Sequence, residues 1–175
     1  MNSPYEGKFY ISQAFKGSAH DGLDLVGIDS KDIHATANGK VIFAGWENPN
    51  NHYQGFGQYV VIQDATGKMF HFGHLSEIKC NVGDIVKITD VIGVEGSTGH
   101  STGSHCHYCV RTSLNPGTFL DVNAISGIPN IEGATYDDGY RPNQKQEVKE
   151  SDTNKTVEAI IEIEGHKYSG LLSEV

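Results

Sequence analysis

Gln58-Tyr59-Val60-Val61-Ile62-Gln63-Asp64-Ala65-Thr66-Gly67-Lys68-Met69-Phe70-His71-Phe72 decides the fold class. Two runs rich in β-branched and aromatic residues flank the turn signal Asp64-Ala65-Thr66-Gly67, and the whole reads as a β-hairpin. Upstream, Gly39-Lys40-Val41-Ile42-Phe43-Ala44-Gly45 is a short strand closed by glycines. Downstream, Val82-Gly83-Asp84-Ile85-Val86 and Val91-Ile92-Gly93-Val94 continue the pattern, and Ser104 to Arg111 supplies a further strand. No stretch up to residue 126 sustains a 3.6-residue apolar period, so helices should be few. With 21 glycines and 37% apolar residues, the composition favours short strands and tight turns over a helical bundle. The expected class is mainly β.

A chain of 175 residues suits one ordinary domain with an appendage. Residues 1–126 read as the β-rich unit. From 127 to 155 the composition shifts to Gly, Pro, Asn, Asp, Gln and Lys, the signature of a linker or extension. Order returns in 156–175. There Val157, Ala159, Ile161 and Ile163 alternate with Glu158, Ile160 and Glu162, Glu164-Gly165 marks a turn, and His166 to Leu172 follows. A terminal β-hairpin is the simplest account. Two strands alone are marginal in water, so this piece should dock on the main unit or pair with another chain, which gives a route to self-association.

The net charge of −9, from 13 basic and 22 acidic residues, repels phosphates and argues against a nucleic-acid partner. No apolar run reaches the roughly 18 residues that a membrane span needs. Met1-Asn2-Ser3-Pro4-Tyr5-Glu6 lacks the basic stretch and apolar core of a Sec signal, so export should use another route, or follow removal of a leader. Three cysteines, Cys80, Cys106 and Cys109, form an odd set without a framework spacing, and no disulfide scaffold is expected.

The chemistry lies in the histidines, of which there are nine. In His20-Asp21-Gly22-Leu23-Asp24, extended backbone would place His20 and Asp24 on one side, with Gly22 between them offering no obstruction. In Ser104-His105-Cys106-His107-Tyr108-Cys109-Val110-Arg111, His105 and His107 share a strand face. Two such histidines alone can simply line a polar sheet surface. Together with the upstream pair they suit zinc, which accepts imidazole and carboxylate at about 2.0–2.2 Å. His20, Asp24 and one histidine of the pair make three ligands, the number that leaves a coordination position open for catalysis. The other histidine, and His74 in Phe72-Gly73-His74-Leu75-Ser76, are then candidates to act on a water or an oxyanion.

These motifs resemble the LytM/lysostaphin-type zinc metallopeptidases of bacterial cell walls. The likeness rests on His20 to Asp24 as H-x-G-x-D and on Phe72-Gly73-His74-Leu75. It rests equally on Gly96-Ser97-Thr98-Gly99-His100-Ser101-Thr102-Gly103-Ser104-His105-Cys106-His107. Ala35 to Val41 and Asn81-Val82-Gly83-Asp84 add to it, and it covers about residues 8–115. The resemblance implies antiparallel β-sheets forming a groove, with His20, Asp24 and His107 as ligands of Zn²⁺ and His74 and His105 as catalytic groups. The implied reaction is hydrolysis of peptide bonds in peptidoglycan at the bacterial cell wall. The short linker and the segments Phe119 to Ala124 and Gly127 to Asn130 resemble endolysins of clostridial-type prophages, which implies a phage or prophage lysin released by a holin or delivered by a virion.

Two departures bear on the site. Cys106 stands between the paired histidines where the family has an aliphatic residue, and Tyr108-Cys109-Val110-Arg111 replaces its Phe-Glu-Val-Arg. Alternation puts Cys109 on the face of His105 and His107 and Cys106 on the other. Cys109 can thus approach the site as a soft ligand, although a small buried packing residue is the simpler reading. His34 and His71 read as packing or surface residues, and His166 has no assigned role. His52, Tyr53, Phe56 and His100 can line a substrate groove. Two other readings remain: a non-catalytic wall-binding module, and a cysteine hydrolase using Cys106 or Cys109 with a neighbouring histidine.

Overall fold

The computed structural model describes residues 2–137 in full, together with the backbone of two later strands. In chain order the strands are β1 (Lys8–Gln13), β2 (Leu23–Gly27), β3 (Asp32–His34), β4 (Gly39–Trp46), β5 (Gln58–Asp64), β6 (Met69–Gly73) and β7 (Glu77–Ile78). After these come β8 (Ile85–Val86), β9 (Val91–Val94), β10 (Cys106–Arg111) and β11 (Phe119–Leu120), then the helix α1 (Val122–Ser126) and β12 (Thr135–Asp137). β13 (Val157–Ile163) and β14 (His166–Leu172) close the set. The chain divides into two compact units, Met1–Asn143 and Gln144–Val175.

In the first unit the order β12-β1-β2-β10-β6-β5-β4-β8 makes one sheet, with β11 added on β10, and β3-β9-β7 make a second. The architecture is mainly antiparallel β with one five-residue helix among the described residues, as the sequence led us to expect. The hairpin read from Gln58 to Phe72 is β5–β6, with Val60 opposite Phe72 and Ile62 opposite Phe70. Its turn is held by Asp64, whose carboxylate accepts from the amides of Thr66 and Lys68.

Two expected strands are trimmed by local chemistry. Val82–Val86 narrows to β8 because Asn81 to Asp84 forms a turn in which Gly83 takes φ 102°. Ser104–Arg111 begins at Cys106, since His105 makes only an isolated bridge to Gly96. Past Ser126, Ile128 is buried and β12 pairs with β1 through Tyr136 opposite Phe9. Those residues belong to the sheet of the first unit, while 138–155 of the expected linker lie outside the described residues. β13 and β14 pair antiparallel from Val157 opposite Leu172 to Ile163 opposite His166.

Register explains how one sheet serves both core and site. Across β2, β10 and β6, Leu25 opposes Cys106, Leu23 opposes Tyr108, and Tyr108 opposes Phe72. These side chains, with Val60, Ile62, Phe70 and Val110, form one buried apolar cluster, and the Phe72 and Tyr108 rings stack with centroids 5.4 Å apart. Burying each large side chain stabilises the fold by roughly 1.5–3 kcal/mol. Because strand side chains alternate, the next residue in each case faces away from that core. Asp24 opposes His107, His107 opposes Gly73, and Cys109 opposes His71. The second face is therefore polar yet largely buried.

His71 shows the cost of that arrangement. It is 1% exposed, and neither ring nitrogen has a hydrogen-bond partner among the described residues. Burial first, then the nearby Arg111 charge, pushes its pKa down from 6.5 to about 3. As pH falls below 6.5 the unfolded chain takes up a proton that the folded chain refuses until about 3. The group thus weakens folding progressively across that window and contributes nothing above it. His71→Leu should raise the denaturation midpoint at pH 7, and its advantage should grow by about 2–3 kcal/mol at pH 4.5. Urea titrations at the two pH values measure this, and an advantage that stays constant with pH would refute it.

Candidate metal centre and active site

The pairing of β2 with β10 places Asp24 across from His107. The Asp24 carboxylate is the meeting point of three imidazoles. Its Oδ1 lies 2.8 Å from His107 Nδ1, 3.1 Å from His20 Nε2 and 3.6 Å from His105 Nε2. His20 comes from a turn rather than a strand, where its backbone bridges Gly17, and its Nδ1 donates to the Ala14 carbonyl at 2.8 Å. That bond leaves Nε2 to face the Asp24 carboxylate.

Gly22 makes the convergence sterically feasible. A Cβ there would stand 2.6 Å from His107 Nε2, 2.7 Å from the Tyr108 carbonyl and 2.9 Å from Cys109 Cβ. The sequence reading has Gly22 leave room for an ion; in the structure the space it clears is taken by the His107 ring and the β10 backbone.

His74 reaches the site by a different route. It adopts φ 62°, a left-handed conformation rare for a residue with a side chain. Two bonds hold it there: its amide donates to the Phe56 carbonyl at 2.7 Å and its Nδ1 donates to the Thr98 carbonyl at 2.7 Å. Its ring centroid is 4.6 Å from that of His105 and 6.0 Å from that of His107. His105 in turn donates from Nδ1 to the Gly103 carbonyl at 2.8 Å. The loop carrying Thr98 approaches the 47–57 loop closely, and Gly57 and Gly99, both at positive φ, allow it. A Cβ on Gly57 would fall 2.4 Å from the Gly99 amide.

Electrostatics follow from burial and pairing. For Asp24, burial alone would raise the pKa. Hydrogen bonds from His107 and His20, with the charges of His107 and His105, outweigh it and hold the carboxyl well below its usual range. For His107, burial favours the neutral ring, but bonds to Asp21, Asp24 and Cys109 carry its pKa well above 6.5. Burial pushes His74 down to about 4 against the opposing pull of the Thr98 carbonyl.

His20, Asp24 and His107 present donor atoms that all lie within 4.8 Å of one another. Tetrahedral zinc with ligands at about 2.0–2.2 Å spaces its donors about 3.3–3.6 Å apart, so the set fits an ion after small adjustments. A second group, Asp21, His107 and Cys109, is equally compact. There the Arg111 guanidinium already lies 2.5 Å and 3.0 Å from Asp21 Oδ2, and its positive charge opposes a cation. Beside the centre opens a cavity of about 270 Å³, lined by Asp21, Phe56, His74, His100, His107 and Arg111 among others.

A family model described as Peptidase family M23 matches residues 18–118. The chain belongs to peptidase family M23. It is 36% identical over 120 residues to lysostaphin of Staphylococcus simulans, an alignment covering 69% of this chain and 23% of that one. With the peptidoglycan DD-endopeptidase ShyA of Vibrio cholerae it shares 28% identity over 145 residues, 76% of this chain and 32% of that one. It therefore spans about a quarter to a third of the length of these relatives. The catalytic domain of lysostaphin superposes with a TM-score of 0.57 at 28% identity, covering 69% of this chain and 92% of that domain. A zinc-containing peptidase from Vibrio cholerae superposes with a TM-score of 0.53 at 25% identity, covering 65% of this chain and 36% of that one. The M23 fold is thus shared, and the His/Asp cluster is a site suited to a metal.

All five histidine and aspartate positions singled out from the sequence lie together in this M23 domain. Phe56 and His100 line the cavity, whereas His52 stacks on Trp46 with ring centroids 3.6 Å apart and Tyr53 projects outward at 86% exposure. His34 and His71 are buried rather than on the surface. All three cysteines are free. Cys106 sits in the apolar cluster with its thiol pushed up chiefly by burial, and Cys109 is fully buried beside His107. Neither can reach substrate, which removes the cysteine-hydrolase reading. Asp21 and Arg111 were not singled out. The one available signal was that Arg111 continues the His107–Cys109 face.

Gly22→Ala tests how tightly the centre is built. The added methyl meets the Tyr108 backbone, so β2 and β10 must separate. We expect a stability loss of about 1–3 kcal/mol, as for other overpacked sites, and weakened zinc binding. Thermal unfolding and a zinc competition titration measure the two effects, and wild-type values in both would show that the approach is looser than described.

Proposed function

We propose that this chain is a zinc-dependent endopeptidase that hydrolyses peptide bonds of bacterial peptidoglycan at the cell wall. The observation that carries the reading is the convergence of His20 Nε2, Asp24 Oδ1 and His107 Nδ1, with the rings of His74 and His105 beside it. In this reading His20, Asp24 and His107 hold the ion. Bound zinc supplies Lewis acidity toward the scissile carbonyl and a water acidified toward a pKa of about 7. ShyA carries peptidoglycan in its name, and the cell-wall motifs of the sequence point to the same substrate class.

The remaining steps belong to His74 and His105. Each gives its Nδ1 proton to a backbone carbonyl, so each neutral ring offers an unprotonated Nε2. Both therefore start as acceptors. The ring that takes the water proton becomes a donor, first to the tetrahedral oxyanion and then to the leaving amine. The depressed pKa of His74 keeps it in the accepting form at ordinary pH. Phe56 and Arg111 form groove walls against which an extended peptide can lie. The peptidase unit is read as 1–126 extended by the strand that pairs with β1, and the C-terminal hairpin as a separate element through which copies can associate.

The test is turbidity loss of purified cell walls. Lysis should stop on chelation, return with zinc and be absent in His107→Ala. His74→Ala and His105→Ala should each keep zinc stoichiometry while losing about 10²–10⁴-fold in rate. Lysis that persists in chelator or in His107→Ala would overturn the metal mechanism, and zinc binding without hydrolysis of any wall would favour a binding module instead.

A further inference from the structure

The ion pair between the half-buried Asp21 and the buried Arg111 has no part in the proton transfers above. Asp21 is one residue after His20, yet its carboxylate turns toward β10. Its Oδ1 lies 3.3 Å from His107 Nε2, the ring nitrogen opposite the one that faces Asp24. Its Oδ2 receives both Nε and one terminal nitrogen of Arg111, at 3.0 Å and 2.5 Å. The fork therefore occupies one carboxylate oxygen and leaves the other for His107. Arg111 is itself 7% exposed and lies over the Phe56 ring at 4.9 Å, so the clamp has little freedom.

We propose that Asp21, held by Arg111, is the positioning residue that sets the tautomer and orientation of His107 for metal binding. The inference rests on His107 being a ligand through Nδ1. An imidazole can offer Nδ1 to an ion only if its remaining proton resides on Nε2. An ionised carboxylate accepts and cannot donate, so Asp21 stabilises the Nε2–H form and no other neutral form. Arg111 keeps that carboxylate ionised and aimed. The outcome is a carboxylate–histidine–metal relay, whose outer member governs affinity without touching the ion. Cys109, whose thiol also bonds His107, supplies only a weak partner.

The full chain can be titrated with zinc against a chromophoric chelator, in the wild type and in Asp21→Ala, Asp21→Asn and His107→Ala. Wild type should bind one zinc and His107→Ala should bind far more weakly. Asp21→Ala should bind 10–100-fold more weakly than wild type. Asp21→Asn should lose at least as much, because its amide can donate to Nε2 and so favour the Nδ1–H tautomer that has no lone pair for the ion. The visible spectrum of the cobalt-substituted protein should change in both Asp21 variants. A merely structural role for Asp21 would lower thermal stability in both while leaving the affinity and cobalt spectrum of the folded protein intact. Zinc affinity within threefold of wild type in folded Asp21→Asn would overturn the inference while leaving the metal site standing. Equal zinc affinity in wild type and His107→Ala would instead remove the site itself. Asp21→Asn is nearly isosteric, and it carries the test if Asp21→Ala fails to fold.

Discussion

The Asp24 carboxylate is the point on which the site depends. Three imidazole nitrogens lie within 3.6 Å of one oxygen atom, in a place where water is largely excluded. Such a cluster needs positive charge to be stable. His107 lies between the Asp21 and Asp24 carboxylates, and its bonds to them favour the protonated ring. With an ion the proton must leave, since a coordinating nitrogen has to be unprotonated. The carboxylates that flank His107 thus suit a positive charge at this point, whether carried by a ring or by an ion.

This economy is possible because a single sheet has two faces of opposite character. Cys106, Tyr108 and Val110 point into the apolar cluster, while His107, Cys109 and Arg111 point out of it along the same strand. A one-residue slip of β10 would exchange the two sets. The apolar side thus fixes the register that brings Asp24 and His107 together, and the core and the metal centre are consequences of the same pairing. Glu95 reinforces this from behind, accepting from the Tyr5 hydroxyl, the Gly27 amide, Lys31 and Ser104. It thereby ties the end of β2 to the residue that precedes His105.

Much of this was legible in the sequence, and the reasons for what was missed are physical. The β5–β6 hairpin and the shared face of His105 and His107 follow from period-two alternation, which holds wherever backbone is extended. Grouping His20 and Asp24 by the same rule named two residues that do meet, but for a partly wrong reason, since His20 closes a turn and Asp21 lies in irregular backbone before β2. Straight alternation would have sent Asp21 to the opposite side from His20. Its carboxylate instead reaches across to β10, where its partners Arg111 and His107 are 90 and 86 residues away. No local pattern encodes that pairing. His74 was recognisable only as part of a motif, because its left-handed backbone is imposed by the Phe56 and Thr98 carbonyls contributed by two other loops.

The polar face also carries a cost that identifies its purpose. His71 is buried with no hydrogen-bond partner among the described residues, His74 is held in a conformation that residues with side chains avoid, and Arg111 is almost fully removed from water. At His71, which has no hydrogen bond among the described residues, an apolar replacement would satisfy the sheet as well. His74 and Arg111 line the cavity beside the centre, and His71 lies opposite Cys109 on the same face of the sheet. Strain and desolvation gathered on one face, and balanced by the apolar cluster on the other, are what a preorganised site requires. The same features make the face sensitive to acid, because each buried histidine kept neutral is a proton that only the unfolded chain accepts.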